Sequence, residues 1–137
     1  MHNYSGVLVV VGSLCLTITL VLVWCGVRTS SLVRKLFPSV PNLLKAHIDY
    51  LLMTALLMIF YLLFAHFRLS VSPVILVAMS VGSLMNRVGF LVLAIKPDTK
   101  QIPASPFGAI MTTSFTLTTI GYAVAAWSVA HAALLAR

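Results

Sequence analysis

Four long runs of apolar residues, separated by short polar connections, dominate the chain. The first run, residues 6–27, carries no charged side chain and is longer than the roughly 20 residues that cross a bilayer as a helix. Three further runs, residues 43–66, 72–95 and 108–134, share this length and apolar character. The pattern predicts an all-α integral membrane protein in which residues 1–137 form one transmembrane domain with four spanning helices.

The connections predict how the helices begin and how they are arranged. Asn42 is a candidate N-cap for the second helix, and Pro73 suits the first turn of the third, where its missing N–H is harmless. Residues 28–45 form a basic connection broken by prolines, in which residues 32–37 could form a short interfacial helix. Residues 96–107 form a second, turn-rich connection. Short connections favour an antiparallel four-helix bundle.

The composition supports a membrane location and changes how the charge is interpreted. Hydrophobic residues make up 61% of the chain and charged residues only 8%, against about 25% in soluble domains. The net charge of +7 does not indicate nucleic-acid binding, because the basic residues are scattered around the hydrophobic runs rather than massed on a polar surface. We interpret them as topology signals and contacts for the headgroups of the lipid bilayer.

The distribution of lysine and arginine predicts the orientation in the membrane. Six of these residues lie in the connections 28–45 and 96–107, whereas the opposite side carries two, Arg68 and Arg137. The positive-inside rule therefore places both connections in the cytoplasm and both termini outside. The six are Arg28, Arg34, Lys35, Lys45, Lys96 and Lys100.

Both cysteines lie in the first hydrophobic run. Cys15 and Cys25 are separated by roughly 15 Å along a straight helix, which is too far for a disulfide. We expect both to be small apolar fillers. The chain has no Cys-x-x-Cys-His motif, so covalent c-type haem attachment is excluded.

Charged residues inside the predicted helices are the main functional signal. At ~1.5 Å per residue, Asp49 lies roughly 9 Å from the cytoplasmic end of the second helix and Arg87 roughly 12 Å from that of the third. A charge at such depth costs several kcal/mol unless it is paired or faces a cavity. We expect the two to pair, either as a structural ion pair or as part of a pocket, with Asn86 and Ser83 at a similar level.

His47 lies two residues before Asp49, so their side chains are separated by about 200° around the helix. They therefore point to different neighbours, which disfavours a metal site built from both. Serine and threonine hydroxyls in spanning helices usually bond to backbone, and glycines there suit close helix packing. His2, His66 and His131 lie at helix ends or boundaries and are interpreted as interfacial.

Four short motifs resemble those of the styrene oxide isomerase family of small four-helix membrane enzymes. They are Ser5-Gly6-Val7-Leu8, then Lys45-Ala46-His47, then Val88-Gly89-Phe90, and last a proline-rich connection containing Lys96-Pro97-Asp98 and Pro106-Phe107-Gly108. The resemblance covers almost the whole chain. The order and spacing of the motifs are more specific than any one of them.

The resemblance implies a homotrimer that binds haem b between neighbouring subunits, in a bacterial inner membrane. His47 would be the axial ligand, with Tyr50 on its face of the helix and with Arg34, Lys35 and Lys45 near the haem propionates. Ferric iron would act as a Lewis acid on the oxygen of a small apolar epoxide. The epoxide would then rearrange to a carbonyl compound without water or redox change.

The chain departs from the family pattern at three polar positions. The residues present there are Met53, Ser83 and Leu91, where the family has asparagine, aspartate and tyrosine. Asp49, Asn86 and Arg87 occur nearby, and we take them as candidate catalytic residues that order the pocket or orient the substrate.

Two other functions are compatible with the sequence. A non-catalytic membrane haem protein for sensing or electron transfer would need a second axial ligand, for which Met53 or Met85 is available. A small transporter or assembly subunit would use the Asp49–Arg87 pair as a gate or a structural lock.

Overall fold

The computed structural model describes residues 5–27, 31–99 and 105–136, and within these ranges every regular element is a helix. Four helices are long and apolar enough to cross a membrane, which confirms the predicted all-α class and agrees with an integral membrane protein. A fifth, short helix lies between the first two of them. The elements are α1 (Gly6–Val27), α2 (Ser31–Leu36), α3 (Val40–His66), α4 (Pro73–Ile95) and α5 (Pro106–Leu135).

The start of α3 differs from the prediction. The helix begins at Val40, so Ser39 is the N-cap residue, and it makes no side-chain capping bond. Pro41 lies within the first turn, where a proline costs the helix no hydrogen bond. It was expected to lie in a broken connection, but it is part of the helix. Asn42 is therefore not the N-cap. Its side-chain amide instead donates to the backbone oxygen of Leu93 on α4, at 3.3 Å.

The other helix starts follow the same rule for proline. Pro73 begins α4, as predicted. Pro106 begins α5, two residues earlier than expected, because the Ser105 hydroxyl caps the helix by accepting a hydrogen bond from the Gly108 backbone nitrogen at 3.0 Å. Proline in the first turn thus marks the beginning of a helix here rather than a break.

The predicted short helix in the basic connection is present as α2. It exposes two leucines, Leu32 and Leu36, as well as Arg34 and Lys35. Such a mixture of exposed apolar and basic side chains is typical of a helix in the lipid-headgroup layer. Lys45, one turn into α3, is also exposed.

The four long helices pack mainly in chain order: α1 on α3, α3 on α4 and α4 on α5. Residues pair in opposite order along neighbouring helices. On α1 and α3, Thr19 contacts His47, and Gly12, earlier on α1, contacts Thr54, later on α3. The buried face of α1 has heptad-like spacing; its members are Leu8, Gly12, Cys15, Thr19 and Leu22. This regular spacing keeps one side of α1 against its neighbours.

Small residues bring α4 and α5 into close contact, as expected of the glycines. A Cβ added to Gly82 would lie 2.7 Å from the backbone nitrogen of Thr118, and one added to Gly121 would lie 2.9 Å from that of Met79. The space beside Gly89 is filled by the side chain of Met111. Without a hydrophobic driving force between helices in lipid, such backbone approach supplies the packing energy.

Candidate functional site

Arg87 is the most deeply buried charged residue that the structure describes, with a side chain that is 0% exposed. Its Nε donates to the backbone oxygen of Asp49 at 3.0 Å and lies 3.5 Å from the Asp49 carboxylate oxygen Oδ2. The expected pairing of these two residues is confirmed. The carboxylate is 24% exposed, so only the cation is fully removed from the surface of the chain.

The two terminal nitrogens of Arg87, Nη1 and Nη2, are buried and have no hydrogen-bond acceptor among the described residues. The guanidinium carbon lies 5.8 Å from the centre of the Tyr50 ring, which provides a cation–π contact but no lone pair. Leaving a buried polar group unpaired costs about 1–3 kcal/mol and more when the group is charged. The N–H groups of Arg87 Nη1 and Nη2 are therefore donors without an acceptor among the described residues.

A second polar contact adjoins Arg87 on the same face of α4. Ser83, one turn earlier, shares a hydrogen bond of 2.9 Å with the hydroxyl of Tyr122 on α5 and lies 3.7 Å from the Met53 sulfur on α3. The ring of Tyr122 packs edge-on against Phe60, with centroids 5.5 Å apart. We refer to Asp49, Tyr50, Ser83, Arg87 and Tyr122 as the Arg87 cluster.

Tyr122 was missed by the sequence analysis, because it lies in α5, more than thirty positions from its partner Ser83. One signal was available: Ser80, Ser83 and Arg87 have the i, i+3, i+7 spacing of one helix face. All three are buried, and Ser80 Oγ also has no partner in the described part of the chain. A polar stripe in an apolar helix predicts polar partners on the neighbouring helices.

Tyr50 belongs to the interior rather than to a surface beside His47. It is 2% exposed, and its hydroxyl donates a long hydrogen bond of 3.5 Å to the backbone oxygen of Leu84 on α4. Its predicted role in cofactor binding would require a cofactor inside the helix assembly. The structure instead groups it with Arg87.

His47 faces α1, away from the Arg87 cluster. Its Nδ1 lies 3.1 Å from the backbone oxygen of Thr19. Because a carbonyl oxygen can only accept, Nδ1 is the donor in this bond, and in the neutral ring the lone pair is then on Nε2. His47 and Asp49 thus contact different helices, α1 and α4, as their 200° separation indicates.

The exposed surface of α3 around His47 is mainly apolar. Leu44, Ile48 and Leu51 are exposed apolar residues within a turn of it on α3, and Lys45 adds an exposed cation. Metal-ligating histidines usually donate their second ring nitrogen to a carbonyl or carboxylate, as Nδ1 does here. No three His, Cys, Asp or Glu side chains come together as a metal-binding group within residues 5–27, 31–99 and 105–136.

The remaining candidates are distributed over other surfaces. Asn86 is half-buried and shares a face of α4 with Gly89, Phe90 and Leu93, which line a groove between α4 and α5. Met53 contacts Ser83 on α4, whereas His47 faces α1, so the two do not converge on one iron within a chain. Arg28 and Lys100 lie outside the described residues.

Several hydroxyls in the spanning helices bond to backbone, as expected of them. Each of six donates to the backbone oxygen four residues earlier, at 2.8 to 2.9 Å. They are Thr17, Thr19, Thr54, Thr116, Thr118 and Ser128. Ser83 differs from these six because its hydroxyl shares a hydrogen bond with another side chain, Tyr122.

Comparison with known proteins gives no relative: the chain matches no protein-family model, no curated protein and no solved structure. The resemblance to the styrene oxide isomerases therefore stays a prediction. The functional argument depends on the geometry of His47 and of the Arg87 cluster.

Proposed function

We propose that this protein is a membrane-embedded haem b protein in which His47 is the axial ligand. The observation that carries the proposal is the hydrogen bond between His47 Nδ1 and the Thr19 backbone oxygen, 3.1 Å long. In the neutral ring it fixes the tautomer and leaves the Nε2 lone pair for iron. Because the acceptor is backbone, the orientation is set by the packing of α1 on α3.

The proposed assembly is a homotrimer of antiparallel four-helix bundles, with haem between neighbouring subunits. The inverted order of contacts along adjacent helices supports the bundle. The side chains that pack between the helices leave little room for a macrocycle inside one chain. Three exposed basic residues precede His47 in the chain: Arg34 and Lys35 at the end of α2, and Lys45 near the start of α3. In the proposed assembly they would bind the haem propionates. This end, with residues 28–45 and 96–107, would face the cytoplasm.

The proposed reaction is the isomerisation of a small apolar epoxide to a carbonyl compound. Haem iron, when bound, supplies a Lewis acid that polarises the epoxide oxygen. Substrate and product have the same atoms, so no water and no redox partner is consumed. The chain contributes the anchoring His47 and an apolar surface formed by Leu44, Ile48 and Leu51, which keeps water from adding to the opened ring.

In this account Asp49 and Arg87 are positioning residues. Arg87 is enclosed between α3 and α4 and does not lie on the side of α3 that His47 faces. By tying the α3 backbone at Asp49 to α4, it fixes the segment that carries His47 two residues earlier. Asn86, beside the α4–α5 groove, remains a candidate for substrate contact.

The absorption spectrum of detergent-purified protein tests the proposal. We expect a Soret band near one haem per chain, which shifts with dithionite because the iron is reduced. Added imidazole should also shift the band of the ferric form, because the proposed site leaves the sixth position of the iron open. An aryl epoxide should yield the isomeric aldehyde, measured by gas chromatography, and native mass spectrometry should show a haem-bearing trimer. Protein made with ample haem precursor that has no Soret band, or a stable haem-bearing monomer, would contradict it.

A further inference from the structure

We infer that the Arg87 cluster is an internal binding site for a small neutral molecule, held through an oxygen atom that accepts hydrogen bonds from Arg87. The starting point is the pair of buried terminal nitrogens of Arg87, which have no partner in the described residues. They present up to four N–H donors in one plane. Folding does not ordinarily leave a fully buried guanidinium in this condition.

Charge decides the class of ligand. Asp49, 3.5 Å from Nε, already balances the positive charge of Arg87. A second anion would leave net negative charge in an apolar environment, which is costly. A metal cation is excluded because the unpartnered atoms of Arg87 are donors. The remaining match is a neutral acceptor, such as the oxygen of a ketone, an aldehyde or an ether.

The side chain of Met53 forms a flexible wall of the cluster. Met53 is half-buried and lies against Ser83, with its sulfur 3.7 Å from the hydroxyl. Methionine has three rotatable bonds and fills irregular space, so it can move without disturbing the backbone. Asp49, one turn away on the same side of α3, is 24% exposed, so the edge of the cluster reaches the surface of the chain.

Other groups in the cluster suit a molecule with one polar end. The Tyr50 ring lies beside the guanidinium, and Phe60 packs against Tyr122, so the cluster offers aromatic carbon as well as donors. This site lies on the α4 side of α3, whereas His47 faces α1. The inference therefore does not depend on haem and is tested without it.

The test uses three probes of similar shape: cyclohexanone, methylenecyclohexane and cyclohexanecarboxylate. The ketone has an acceptor oxygen, the alkene has a CH₂ group in its place, and the carboxylate carries a charge. Thermal unfolding of the purified protein in detergent is measured against probe concentration. We expect a saturable rise of the midpoint with the ketone alone, and a lowered C=O stretching frequency of the bound ketone in infrared difference spectra.

Variants locate the effect. Arg87→Lys keeps the charge but loses the planar donor pair, and should weaken apparent ketone affinity about tenfold or more. Met53→Phe fills the flexible wall while keeping the ion pair, and should abolish the response even if Arg87→Lys does not fold. Ser128→Ala, which removes a hydroxyl bonded only to its own helix, should respond like wild type.

Four results would overturn the inference. The first is no saturable ketone effect, which would mean that water or side-chain rearrangement satisfies Arg87. The second is an equal effect of the alkene, and the third is a stronger effect of the carboxylate. The last is an unchanged response in folded Arg87→Lys or in Met53→Phe.

Discussion

Arg87 contacts Asp49 through Nε alone, 3.0 Å from the Asp49 backbone oxygen and 3.5 Å from its carboxylate. This geometry separates two tasks that a bidentate pair would combine. Nε joins α4 to the α3 backbone, and the carboxylate balances the charge from a longer distance. The outer nitrogens are left for another partner.

Substitutions of the pair should show coupling. Asp49→Leu leaves Arg87 with its charge in an apolar interior and should cost about 3–5 kcal/mol of stability. Arg87→Leu should cost less, because the Asp49 carboxylate is 24% exposed and is therefore not left as a fully buried charge. The double variant should recover part of the loss, as measured by thermal unfolding in detergent. Single effects that simply add would show that the two residues do not stabilise each other.

Replacing glycines by alanine should lower stability by different amounts, depending on what the added methyl group contacts. Gly82→Ala would place a methyl group 2.7 Å from backbone of α5 and should lower stability by about 1–3 kcal/mol. Gly89→Ala should cost less, because the far end of the Met111 side chain can move. Gly6→Ala, with nothing within 4 Å of the added carbon, is the matched control. Equal losses in all three would contradict the close α4–α5 contact.

The cysteines should differ in reactivity although neither forms a disulfide. Cys15 is 0% exposed in the α1–α3 interface, whereas Cys25 is half-buried beside an apolar groove near the end of α1. A membrane-permeable maleimide should therefore label Cys25 first and Cys15 only after unfolding. Mass spectrometry of Cys15→Ala and Cys25→Ala separates the two sites. Rapid labelling of Cys15 in folded protein would contradict the packing of α1.

Helix length and polarity predicted the spanning segments well, because crossing a bilayer requires long apolar runs whatever the packing. Depth alone predicted that Asp49 and Arg87 would meet, since an unpaired charge at that level is costly. The N-cap at Asn42 was wrong because proline was treated as a break rather than as a first-turn residue. The Asn42 amide instead serves a contact between helices.

What sequence could not give is which helix faces which. The Ser83–Tyr122 bond joins α4 to α5, and the His47–Thr19 bond joins α3 to α1. Each bond depends on how the helices are rotated about their long axes. Apolar residues occur on nearly all sides of these helices, so the hydrophobic pattern does not predict that rotation. Hydropathy therefore located the candidate residues in depth but not around the helix axis, and it did not predict that the Tyr50 ring lies beside Arg87.

The central claim is that His47 binds haem iron, and haem occupancy of histidine variants tests it most directly. His47→Ala, purified beside His66→Ala and His131→Ala, should lose the Soret band while keeping its expression and helical circular dichroism. The two controls are exposed residues at helix ends and should retain haem at the wild-type ratio. Full haem occupancy in His47→Ala, or loss of haem in a control alone, would contradict the account.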